Sequence, residues 1–147
     1  MKAFEINTKN KKKVDALLKN QKPTIILFYM TDCSHCIALH PIWKEFATDL
    51  ENMSGIDVAQ VEFSSMGLLP ENIRKSIAGF PTIQIIKGGK AIAEYMGDRT
   101  KETLLDFANK YKLPEPIKKT PSAPKTKKTE LVATKNKSTS KKSKTVK

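Results

Sequence analysis

Cys33 and Cys36 are the two cysteines of the chain, and they frame "CSHC" within "TDCSHC" at 31–36, with His35 between them. A pair at this spacing can bridge the structure, ligate a metal, or carry electrons as a dithiol and disulfide. A bridge over two intervening residues closes a very small loop. Loop-closure stabilisation grows with loop size, so such a bridge adds little. Two cysteines are also too few for the disulfide framework of a small secreted module. A metal site would have to use Cys33, His35, Cys36 and His40, which are all the cysteines and histidines present. All four fall within 33–40, whereas structural zinc sites typically draw a second ligand pair from a distant segment. No metal site is expected, and His40 reads as a partly buried helix residue. Electron transfer is the chemistry that suits the pair best.

Composition supports a reducing setting. The 147 residues suit one domain with a tail. The start, "MKAFEINTKNKKK", lacks the apolar run of a secretory leader. The longest apolar run, "IILFYM" at 25–30, is the length of a strand and far short of the roughly 20 apolar residues of a membrane span. A soluble, cytoplasmic protein is expected, and in such a compartment a cysteine pair is more often catalytic or metal-binding than structural. Lysine greatly outnumbers arginine, which occurs only at Arg74 and Arg99, a bias that fits an AT-rich genome.

The charge of +12 is uneven. Residues 113–147 hold eleven lysines and two glutamates, a net +9, while 1–112 hold sixteen basic and thirteen acidic residues, a net +3. The break falls in "KLPEPIKKTPSAPK", after which Lys, Thr and Ser dominate. A segment so poor in apolar groups cannot offset its ordering entropy, so 113–147 is expected to be a disordered basic tail behind a domain at 1–112. The tail suits nucleic acid or an acidic partner, or simple solubilisation. Without aromatic or arginine residues, any nucleic-acid contact would be non-specific and salt-sensitive.

The elements around the cysteines follow from periodicity. "AFEIN" (3–7) reads as a strand and 8–20 as a helix with Val14, Leu17 and Leu18 on one face. "TIILFYM" (24–30) is a β-branched and aromatic run suited to a strand buried on both faces. From Cys33 to about residue 52, Leu39, Ile42, Trp43, Phe46 and Leu50 recur at helical spacing, with Pro41 inside. "IDVAQVEF" (56–63) is a second, parallel strand because a long helix precedes it. A short helix at 70–77, two strands at 82–87 and 91–96 around a Gly-Gly turn, and a helix at 100–112 complete the order. The fold class is α/β, a central mixed sheet with helices on both faces.

Cys33 therefore sits after a central strand at the start of a long helix. Free amide donors and the positive end of the helix dipole favour its thiolate. Cys36, one turn in, should be more buried and less acidic. Cys33 would attack a substrate disulfide and Cys36 would resolve the mixed disulfide. His35 is expected to add a donor or a positive charge near the Cys33 sulfur; the plainer alternative is an exposed helix residue.

These residues, with three further motifs, resemble the thioredoxin superfamily, and within it the protein disulfide isomerase type of domain, over about 3–112. "DCSHC" is close to the isomerase pattern Cys-Gly-His-Cys. Pro41 matches the helix-kinking proline, "GFPTI" (79–83) the cis-proline loop, and "YMGDRT" (95–100) a signature before the last helix. The resemblance implies a protein thiol–disulfide oxidoreductase needing no cofactor beyond Cys33 and Cys36, and acting as a monomer on protein thiols and disulfides. It further implies a cis Pro81, with Phe80, Pro81 and Thr82 pairing with substrate, and an Arg99 that approaches the thiols; a surface salt bridge is the alternative role for Arg99. The chain departs from the family at Leu27, where an acid usually stands, at Gln60 in place of its partner lysine, and at Asp32 in place of a tryptophan. These changes motivate a second reading, a catalytically weak peptide- or partner-binding module whose tail docks on nucleic acid or an acidic surface. A third is a nucleic-acid-associated redox factor. An isomerase-like site without a visible leader also fits host cytoplasm or a virion, serving a virus that makes its own disulfides.

Overall fold

All five strand-forming stretches enter one mixed sheet. The structure is a computed structural model and describes residues 3–114; the expected tail, from 115 on, lies outside the described residues. The strands are β1 (Phe4–Glu5), β2 (Thr24–Tyr29), β3 (Asp57–Glu62), β4 (Thr82–Lys87) and β5 (Lys90–Glu94), in the spatial order β1-β3-β2-β4-β5. β1, β3 and β2 are parallel, and β4 is antiparallel to both β2 and β5. The helices are α1 (Lys11–Lys19), α2 (Ser34–Leu50), α3 (Glu71–Lys75) and α4 (Lys101–Tyr111). The expected α/β architecture and its element order are present.

β2 is the middle strand, and Thr24 to Phe28 are all buried. Its alternate side chains feed two apolar layers, because helices cover both faces of the sheet. Ile25 and Leu27 pack with Leu39, Trp43 and Phe46 of α2 and with Leu104 and Ala108 of α4. Ile26 and Phe28 pack on the other face with Val14 and Leu17 of α1 and Ile73 of α3. Each fully buried Leu, Ile or Phe side chain in these layers contributes about 1.5–3 kcal/mol.

Besides a strand shortened from 3–7 to Phe4–Glu5 and a helix shortened from 70–77 to Glu71–Lys75, three differences from the sequence reading concern the local backbone. The first helix is α-helical only from Lys11, because Thr8–Asn10 form a 3-10 turn whose start Asn7 caps, accepting from Lys9 N–H at 3.0 Å. The strand expected at 91–96 ends at Glu94; beyond it, Tyr95 N–H still donates to the Ile83 carbonyl at 2.8 Å. The third difference is a 3-10 segment, Phe63–Leu68, which the sequence reading missed. Glu62 starts it by accepting from Ser64 N–H at 3.0 Å.

β2 and β3 run in register, with Thr24 beside Asp57 and Tyr29 beside Glu62. Their C-terminal ends share one edge of the sheet, and Cys33 follows there. α2 carries the chain back to the opposite edge. At that edge Leu113 N–H donates to the Gly55 carbonyl at 2.8 Å, so the folded unit extends past the expected boundary at 112. Gly55 has φ +89°, and a Cβ there would lie 2.4 Å from the Leu113 carbonyl oxygen, so the close approach requires glycine.

Candidate active site

Cys33 is the N-cap of α2, with an extended backbone at φ −90° and ψ 120°. That conformation turns its sulfur back over the first helical turn, where amides lack intrahelical partners. The Cys36 N–H donates to this sulfur at 3.2 Å. The thiol is held below its ordinary value, chiefly by the hydrogen bond from the Cys36 side chain, with the main-chain amides of Cys36 and His35 and the charge of Arg99 acting the same way. Partial burial opposes them.

Cys36 behaves in the opposite sense. It is 1% exposed, and burial pushes its thiol up to about 11, with its interaction with Cys33 adding to the rise. The Met30 main-chain amide and Arg99 work against this. Both thiols are free. One acidic and one suppressed thiol, one helical turn apart, divide naturally into an attacking and a resolving sulfur.

The loop before β4 closes over the pair. The Phe80–Pro81 peptide bond is cis, and the Cys33 thiol lies 3.8 Å from the Phe80 carbonyl oxygen. Thr82 Oγ1 donates to the Gly79 carbonyl at 2.6 Å and holds the loop. Phe80, Pro81 and Thr82 are each half-buried. Phe63, 55% exposed, stands edge-on to Phe80 at 5.7 Å. Sequence reasoning missed Phe63, which was taken as the end of a strand.

Arg99 is exposed and shares a cleft with Pro81, Thr82, Glu94 and Tyr95. The 95–99 turn that presents it is closed by Tyr95, whose hydroxyl donates to the Asp98 carbonyl. Among the described residues no ion pair involves Arg99, while its charge acts on both thiols. His35 is exposed, and what it adds at the Cys33 sulfur comes through its main-chain amide. His40 is half-buried, its ring edge-on to Tyr29 at 4.9 Å. Among the described residues no group of three or more His, Cys, Asp or Glu side chains converges as metal ligands would.

The departures from the family pattern also have a place in the structure. Leu27 is fully buried in the α2-side layer, and Gln60 lies beside it in register on β3. Gln60 Nε2 donates to Glu5 at 2.7 Å, and the Tyr29 hydroxyl donates to both Glu5 oxygens at 3.1 and 3.0 Å. Burial, followed by the Glu5 charge, pushes Tyr29 up to about 12. Sequence reasoning missed Glu5 and Tyr29. The polar residue between Phe4 and Ile6 was the available signal, but its partners depend on sheet order.

The Thioredoxin family matches residues 5–110. Protein disulfide-isomerase TMX3 of Xenopus laevis is 34% identical over 99 residues, which are 65% of this chain and 21% of that protein. DnaJ homolog subfamily C member 10 of Rattus norvegicus is 32% identical over 104 residues, 71% of this chain and 13% of that protein. The chain therefore spans less than a quarter of these relatives. The solution structure of the first thioredoxin domain of mouse protein disulfide-isomerase A4 superposes with a TM-score of 0.60 at 26% identity, covering 82% of this chain and 84% of that one. Among the described residues no helix is long and apolar enough to cross a membrane.

Proposed function

The chain belongs to the thioredoxin family, and from that premise we propose that it is a thiol–disulfide oxidoreductase acting on protein disulfides. The observation that carries this reading is the contrast within one helical turn: Cys33 is lowered by hydrogen bonds from Cys36, and Cys36 is raised by burial. Cys33 attacks a substrate disulfide as thiolate, and the displaced substrate sulfur leaves as thiolate. Cys36 then attacks the Cys33 sulfur of the mixed disulfide. The second substrate sulfur departs, and the pair is left oxidised, two electrons having passed to the substrate. In the reverse direction the oxidised pair forms a disulfide in a reduced substrate.

Phe80, Pro81 and Thr82 hold the substrate strand next to the attacking sulfur, which accounts for their position 3.8 Å from it at the Phe80 carbonyl. Arg99 lowers both thiols from the far side of the cleft. Reduction of insulin disulfides by the full chain tests the reading: Cys33→Ser should abolish turnover, and unchanged turnover would overturn it.

A second reading, a partner-binding module with weak exchange, is favoured by the burial of Leu27 in an apolar layer. Its mark would be a Cys33 thiol titrating near about 8.5 with no exchange against glutathione.

A further inference from the structure

Resolution of a mixed disulfide at Cys33 needs Cys36 as thiolate, yet Cys36 is 1% exposed, and the burial that chiefly raises its thiol persists when Cys33 is bonded to substrate. Some base within reach has to take that proton. Residues three and four positions along a helix share a face, which points to Leu39 and His40. Leu39 is an apolar core residue, 1% exposed, whereas His40 is half-buried and carries two ring nitrogens. Among the described residues neither nitrogen has a hydrogen-bond partner. The ring borders a groove with Tyr29, Met30, Thr31 and Ile37. Met30 walls that groove, and its main-chain amide also acts on the Cys36 sulfur.

The ring is also held in place. It stands edge-on to Tyr29, with 79° between the planes. Tyr29 is itself locked by two hydrogen bonds to Glu5, which Gln60 fixes at 2.7 Å.

We propose that His40, one helical turn beyond Cys36, is the general base that accepts the Cys36 proton during resolution, directly or across one water. The proposal rests on the oxidoreductase reading and adds a step to it. The Cys36 S–H bond breaks and its proton goes to the imidazole. The Cys36 electron pair attacks the Cys33 sulfur, the Cys33–substrate S–S bond breaks, and the substrate sulfur leaves as thiolate and takes up a proton from the imidazolium or solvent. A ring nitrogen with a free lone pair can take up a proton at this position. Tyr29 is a positioning residue. Along α2, Cys36 and Lys44 stand four residues either side of His40; Tyr29 of β2 packs on its ring, and the charges of Glu5 of β1 and Glu62 of β3 act on Tyr29.

The test is stopped-flow reaction of the reduced full chain with a fluorescent glutathione mixed disulfide, which separates attack by Cys33 from resolution by Cys36. For His40→Gln, attack should keep its rate, while resolution slows about 100-fold at neutral pH. Free imidazole should restore much of the rate in His40→Ala. Resolution at the wild-type rate in both variants would overturn the proposal. So would slowing that free imidazole fails to rescue, which marks a packing role. A wild-type chain with no attack phase would overturn the oxidoreductase reading itself.

Discussion

Gln60 donates to Glu5 at 2.7 Å, while Leu27, its neighbour in register, is fully buried among apolar side chains. The carboxylate on this face of the sheet thus stands at the edge, on β1, rather than under the cysteines on β2. Glu5 is also the charge that raises Tyr29, after burial. Glu5→Ala should therefore bring Tyr29 down from about 12 toward its ordinary 10, stopping short because burial remains. Tyr29 is raised in the folded state, so its contribution to stability is present below about 10 and is lost as pH rises through about 12. Tyrosinate absorbance in alkaline titration, as a difference between Glu5→Ala and wild type, reads the shift directly. Superimposable curves would remove Glu5 as a cause.

The two thiols should respond unequally to removal of Cys36. The largest cause of the low Cys33 value is the hydrogen bond from the Cys36 side chain. Cys36→Ala should raise Cys33 toward about 8.5 and slow its alkylation by iodoacetamide below that pH. The same variant should accumulate mixed disulfides, since the resolving sulfur is gone. For the reduced wild type, the lowered Cys33 contributes stability above its unfolded value, lost as pH falls through the folded one. The raised Cys36 contributes below its unfolded value, lost as pH rises through about 11.

Arg99→Gln should raise both thiols, because its charge lowers both. The side chain is exposed, so the effect should shrink as salt is added. Alkylation rates at low and high ionic strength check this. A Cys33 value identical in both proteins at low salt would exclude Arg99 from tuning.

Far from the thiols, Asp57 is nearly buried and meets Lys22 Nζ at 2.9 Å, its Oδ1 otherwise lacking a well-aligned hydrogen-bond donor. Lys22→Ala strands this carboxylate and should destabilise the fold by about 1–3 kcal/mol. The partial exposure of Lys22 keeps the loss below that of a fully buried pair. Urea unfolding measures it, and unchanged stability would mean that water replaces the ammonium fully.

β2 and α2 were legible because their signals are local: a β-branched run for one, a helical period of apolar residues for the other. The reactive position of Cys33 followed from their junction, and the Phe80–Pro81–Thr82 loop from family resemblance. His35 was read as a donor or a positive charge at the Cys33 sulfur; its backbone amide acts there, a donor that any non-proline residue would supply at a helix start. Glu5, Tyr29 and Gln60 could not be linked in advance. Their contact needs β1 beside β3 and β3 beside β2 in one register, which no stretch of sequence encodes alone. Phe63 escaped because its 3-10 segment carries no periodicity and is started by a capping contact from Glu62.

The bond between Leu113 and Gly55 fixes the point of departure of everything that follows Pro114. α2 spans seventeen residues between the Cys33 cap and the edge holding Gly55, roughly 25 Å of helix. The described chain therefore ends on the far side of the domain from the thiols. A cut after Pro114 would leave this closing bond, and the thiols at the other end of α2, in place.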